Sequence, residues 1–137
     1  MEDCVIETQT GFQRRRAPQR IDKGRLLSSL AAVHFVGDRE LAAAAVRDPL
    51  FSSLDIGERS LWAHALTRSD AWVLCGPDKA SLRLGVRLGF RDRLVALEKL
   101  LSDVGFGPRE SLRTNYTGRW HAEAVNQMAI LERSRRP

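Results

Sequence analysis

The chain has 137 residues, 43% of them hydrophobic and 28% charged, with a net charge of +5. That length holds one domain with a real core, and the ordinary composition excludes collagen-like, fibrous and wholly disordered chains. No apolar run reaches the roughly 18 residues of a membrane span, and the acidic start Met1-Glu2-Asp3-Cys4 lacks the basic-then-apolar order of an export signal, so a cytoplasmic protein without a membrane segment is expected.

In chain order, residues 4–10 alternate weakly, and Val5, Ile6 and Thr8 suit a strand. Residues 11–19, with glycine, proline and an arginine run, read as a loop, and residues 23–30 as two turns of helix. Residues 31–36 (Ala-Ala-Val-His-Phe-Val) are short, apolar and partly β-branched or aromatic, and Gly37 ends them, which predicts a buried strand. Asp38 caps an alanine-rich helix that Asp48-Pro49 stops. Asp55 caps the clearest helix, which runs to Arg68 with Ile56, Leu61, Ala65 and Leu66 on its apolar face and Trp62 nearby. Residues 71–75 (Ala-Trp-Val-Leu-Cys) are continuously apolar, as a strand covered on both faces must be. After Gly76-Pro77, Asp78 opens a helix that Gly89 caps. Residues 93–97 begin extended and lead into a helix over 98–104. Residues 105–108 are a loop, and Trp120, Ala124, Met128 and Leu131 set a helix over 117–134.

Strands separated by helices predict an α/β protein whose parallel sheet is flanked by helices. Functional groups in such folds gather at the carboxyl ends of strands, and Cys75-Gly76-Pro77-Asp78 is such a corner. The two cysteines and three histidines show no zinc spacing, and without an export signal both thiols are expected reduced.

The charge is uneven. Residues 38–104 carry ten Lys/Arg and ten Asp/Glu, so the excess lies at the ends. Arg14, Arg15, Arg16, Arg20, Lys23 and Arg25 face only Asp22 in sequence, and the C-terminal stretch is also rich in arginine. Basic clusters attract phosphate backbones by counterion release, so Arg14, Arg15, Arg16, Arg20 and Arg119 are candidate nucleic-acid contacts; the competing reading is a solvated loop and a loose tail. Tyr116, Arg119, Trp120 and His121 suit either stacking on single-stranded bases or anchoring of the last helix, and for Trp120 anchoring is favoured. His34 reads as a core or edge histidine, and His64 lies on a different face of its helix from Glu58.

Two acids carry the chemistry. Glu58 lies in the first turn of the helix begun by Asp55, and Asp78 follows the strand over 71–75. Each alone is explained by helix capping and the macrodipole. Converging at strand ends, such carboxylates bind hard divalent cations.

The order Leu54-Asp55-Ile56-Gly57-Glu58-Arg59, an alanine-bearing helix, the strand over 71–75, Asp78-Lys79-Ala80, a helix ending Leu88-Gly89-Phe90 and the segment 92–101 resembles the second half of a PIN-like domain. The resemblance covers under half the chain. It implies a three-layer α/β/α fold over residues 1–108, incomplete at its start, with a helical extension and basic tail over 109–137. It also implies a magnesium- or manganese-dependent ribonuclease of the bacterial toxin–antitoxin kind, with RNA, an antitoxin-like protein or a second copy as partners. Glu58 and Asp78 match site acids, as catalytic residues and metal ligands, and Glu7 is the candidate third ligand. The family's opening strand ending in Asp-Thr-Asn or Asp-Ser-Asn has no counterpart here. The alternative is therefore a catalytically inactive relative that binds nucleic acid or protein.

Overall fold

The computed structural model describes residues 1–9, 16–17 and 20–135. Seven α-helices occur among them: α1 (Glu2–Gln9), α2 (Lys23–Ser29), α3 (Asp38–Arg47), α4 (Ile56–Thr67), α5 (Lys79–Arg87), α6 (Leu97–Asp103) and α7 (Gly118–Ser134). Two short strands, β1 (Leu74–Cys75) and β2 (Leu94–Val95), pair in parallel, Leu74 beside Leu94 and Cys75 beside Val95. The protein is thus a mixed, mainly helical α/β structure with a small parallel sheet. No helix among the described residues is long and apolar enough to cross a membrane.

The capping residues act where their chemistry places them. Asp55 accepts the Glu58 N–H at 2.9 Å, Asp78 accepts those of Ala80 and Ser81 at 2.7 and 3.1 Å, and Thr117 caps α7. Past α5, Gly89 takes φ +80° and lets the Phe90 N–H reach back to the Gly85 carbonyl at 2.8 Å. Helix α3 begins at Asp38 itself, with Gly37 as its cap.

Two expected strands are absent. Residues 4–9 belong to α1, where Val5 is buried and Asp3, Cys4 and Glu7 all contact α4. Tertiary contacts override the modest β-propensity of Val5, Ile6 and Thr8. Residues 31–36, expected as a buried strand, form neither helix nor ladder, and all but Val36 are exposed, so little burial rewards an extended strand there.

The core joins Val36, Ala44, Phe51, Leu54, Trp62, Ala63, Leu74, Leu82, Leu84, Leu94, Ala124 and Val125. Helices α1 and α3 pack on α4, and α5 packs on α7. Arg87 ties three elements together: its guanidinium bonds Asp48 at 2.7 Å, just past α3, and Glu132 on α7 at 2.8 Å, while Arg83 also holds Glu132 at 2.5 Å. Asp48 is 7% exposed. Arg87→Ala strips it of its cation and is expected to cost about 2 kcal/mol, read by urea unfolding.

Candidate active site

The carboxyl end of β1 and the first turns of α4 and α5 bring the sequence's candidate acids into one region. Asp78 sits three residues past β1, and Glu58 lies in the first turn of α4. Glu7 arrives from α1, fifty residues away in sequence: its Oε1 accepts the Gly57 N–H at 3.0 Å. A Cβ on Gly57 would stand 2.8 Å from the Glu7 carboxyl carbon, so only glycine lets Glu7 seat on this turn. Asp3, also on α1, accepts a hydrogen bond from the Ser60 hydroxyl. Two acids from α1 therefore close over the start of α4.

The electrostatics are those of crowded carboxylates. The Glu58 carboxyl is pushed up to about 7, first by burial and then by the negative charges of Asp78, Asp55 and Glu7, with an Asp55 main-chain hydrogen bond offsetting part of the rise. No ion pair with lysine or arginine joins Glu58, Asp78, Asp55 or Glu7 among the described residues. Burial also pushes the nearby Cys4 thiol up, so it is protonated at neutral pH; its Sγ lies 3.5 Å from the Gly57 carbonyl.

A proton on Glu58 has a stability consequence of definite sign. Unfolded, this carboxyl titrates near 4.5; folded, near 7. Between those values the folded chain holds a proton that the unfolded chain has released, so the stability from this group is full below pH 4.5 and lost as pH rises through 7. Glu58→Gln cannot ionise. It is expected to be more stable than the wild type at pH 8 by about 1 kcal/mol, after allowance for solvent screening of a half-exposed group, and indistinguishable at pH 4. Thermal melts at the two pH values test this.

The donor set suits a hard cation: every candidate ligand atom is a carboxylate oxygen. Asp78 spends only Oδ1 on its cap, and Glu7 spends only Oε1 on Gly57. Among the described residues no three His, Cys, Asp or Glu side chains already stand at the spacing of a shared ion. Magnesium needs less, since it is commonly held by one or two carboxylates with water and substrate phosphate completing its shell. Glu58 and Asp78 have the donor chemistry such a pair requires.

Arg14 and Arg15 fall outside the described residues, while Arg16 and Arg20 are exposed. Arg119 is exposed near the start of α7 and pairs with Glu123 at 3.1 Å. Trp120 packs against the core, as expected for an anchor. His121 has a buried Nε2 without a hydrogen-bond partner among the described residues, and burial lowers its affinity for a proton. His34, outside any strand, stacks on His64 with ring centres 4.4 Å apart.

Sequence reasoning assigned Asp55 to capping alone; it also adds charge beside Glu58. Its place three residues before Glu58 was the available signal. Asp3 and Ser60 left none, because their contact spans 57 residues. The chain matches no family model, and no curated protein or solved structure is significantly similar to it.

Proposed function

We propose that the protein is a PIN-like, divalent-metal-dependent ribonuclease of the cytoplasm, of the bacterial toxin–antitoxin kind, with magnesium or manganese held by Glu58 and Asp78. The observation that carries this reading is the gathering of acids from three separate segments around Glu58, at the carboxyl end of a parallel strand, without a cationic partner among the described residues. Structural acids are ordinarily paired or capping. Glu58 is crowded instead by carboxylates, an arrangement whose charge a divalent ion would offset.

A bound divalent ion supplies Lewis acidity toward water and the scissile phosphate. The chain's own residues do the rest. Asp78 is held by its cap bonds through Oδ1, which leaves Oδ2 for a cation. Glu58 sits close to half-protonated at neutral pH, so its carboxyl can give up a proton as the site fills. Glu7 fixes the first turn of α4 through Gly57. The basic segment that includes Arg14, Arg15, Arg16 and Arg20, together with Arg119, holds the phosphate backbone of single-stranded RNA.

The test is cleavage of a labelled single-stranded RNA by the purified protein with manganese, with chelator, and with manganese restored. Cleavage that follows the metal supports the reading. Intact RNA under all three conditions favours the second reading, a catalytically inactive PIN-like protein that binds nucleic acid or a protein partner.

A further inference from the structure

Helices α5 and α7 pack together, and where they end a cavity of about 400 Å³ opens between them. Four arginines line it, Arg87, Arg91, Arg133 and Arg135, with two acids, Asp48 and Glu132. Both acids are engaged through both oxygens. Asp48 accepts the Leu50 N–H on Oδ1 at 2.8 Å and Arg87 on Oδ2 at 2.7 Å. Glu132 accepts Arg83 on Oε1 at 2.5 Å and Arg87 on Oε2 at 2.8 Å. The charges of the two acids are therefore balanced by Arg83 and Arg87.

The other three arginines carry uncompensated charge. Arg91 donates to the neutral Asn126 side-chain carbonyl at 2.5 Å, and Arg91, Arg133 and Arg135 have no ion pair among the described residues. All three are exposed. A helix end attracts cations, which accounts for one arginine at the end of α5 or α7. It does not account for three unpaired guanidiniums around one cavity. Like charges gathered this way repel, and an anion between them removes that cost.

The shape and the charge together name the anion. Guanidinium forks match phosphate and carboxylate oxygens alike, but three of them outweigh one carboxylate. A phosphate group carries about −1.5 to −2 at neutral pH with three acceptor oxygens, and two linked phosphates come closer to balancing three cations. The cavity falls in the roughly 300–1,000 Å³ range of small-ligand sites. We propose that the cleft between the ends of α5 and α7 binds linked phosphate groups, with Arg91, Arg133 and Arg135 as the contacts and Arg87, fixed by Asp48 and Glu132, as a standing positive charge in its wall. Two sources share that chemistry, a nucleoside diphosphate and the successive phosphates of an RNA strand. Helix α5 runs nine residues from its Asp78 cap to Arg87, about 13 Å at 1.5 Å each, so the cleft stands apart from the acids and the inference does not depend on them.

Calorimetric titration of pyrophosphate into the full-length protein tests this, with chelator present so that no metal bridges it to the acids. Saturable binding is expected. Arg133→Gln with Arg135→Gln should weaken it by about tenfold or more, because each lost guanidinium removes charge-assisted hydrogen bonds. Both side chains are exposed and unpaired among the described residues, so the melting temperature should hold; if the pair does not fold, Arg135→Gln alone serves. Arg39→Gln with Arg113→Gln removes the same charge from exposed positions elsewhere and should leave the affinity within about twofold. Adenosine diphosphate and a short RNA without terminal phosphates are then tried as competitors. Displacement by adenosine diphosphate alone makes the source a free nucleotide, and displacement by the RNA makes it a strand. No saturable pyrophosphate binding, an equal loss in the control pair, or displacement by neither competitor overturns the proposal.

Discussion

Asp78→Asn is expected to fold like the wild type and to lose manganese-dependent RNA cleavage by about 10²-fold or more. The two halves of that expectation have different physical origins. Asp78 caps α5 by accepting the Ala80 and Ser81 N–H groups through one oxygen. Asparagine keeps a carbonyl oxygen there and ranks with aspartate as a cap, so melting temperature should barely move. What disappears is the negative charge and the second carboxylate oxygen, the two properties a hard cation needs. Asp78→Ala separates the roles from the other side: it loses the cap as well and should cost about 1 kcal/mol of stability in addition to activity. Activity preserved in a well-folded Asp78→Asn protein would remove Asp78 from the site.

Trp62→Ala is expected to cost about 3–5 kcal/mol, a large share of the 5–15 kcal/mol typical of a domain. Trp62 is fully buried, its Nε1–H donates to the Ser81 hydroxyl at 2.8 Å, and its ring meets Trp72 edge-on with centres 6.2 Å apart. It links α4, whose first turn carries Glu58, to α5, which Asp78 caps. A Cβ at Gly85 would stand 3.0 Å from the Trp62 ring and 2.8 Å from Leu94, so α5 can approach this closely only with glycine there. Trp62→Phe keeps most of the volume but removes the indole donor from buried Ser81, and should cost about 1–2 kcal/mol. Urea unfolding of both variants checks the order.

The helices that position the site were legible because their ends are marked locally. Asp55 and Asp78 announce the starts of α4 and α5, Gly89 announces the end of α5, and the spacing of Trp120, Ala124, Met128 and Leu131 marks α7. A parallel sheet was expected from strands over 4–10, 31–36 and 71–75; of these only 71–75 supplies a strand, Leu74–Cys75, and it pairs with Leu94–Val95 in the segment read only as beginning extended. Helix α1 was not legible. Eight residues containing Val5, Ile6 and Thr8 have little helical preference of their own, and contacts to Gly57 and Ser60 more than fifty positions away hold them. Residues 31–36 were misread for another reason: their composition suits a buried strand, but only Val36 is buried, and a strand needs a partner that the local sequence cannot supply. Glu58 and Asp78 could be named as a pair from their places at helix starts. The electrostatic crowding that distinguishes them from ordinary caps arises only in three dimensions, from Glu7 and Asp55.

The most direct measurement is calorimetric titration of manganese into the wild-type protein beside Glu58→Gln and Asp78→Asn at pH 7. The wild type is expected to bind saturably and to release a proton into the buffer, because an ion beside Glu58 drives off the proton that its neighbours hold there. Both variants should lose the binding. No saturable binding in the wild type, or binding that survives in both variants, would contradict a metal site built on these two carboxylates.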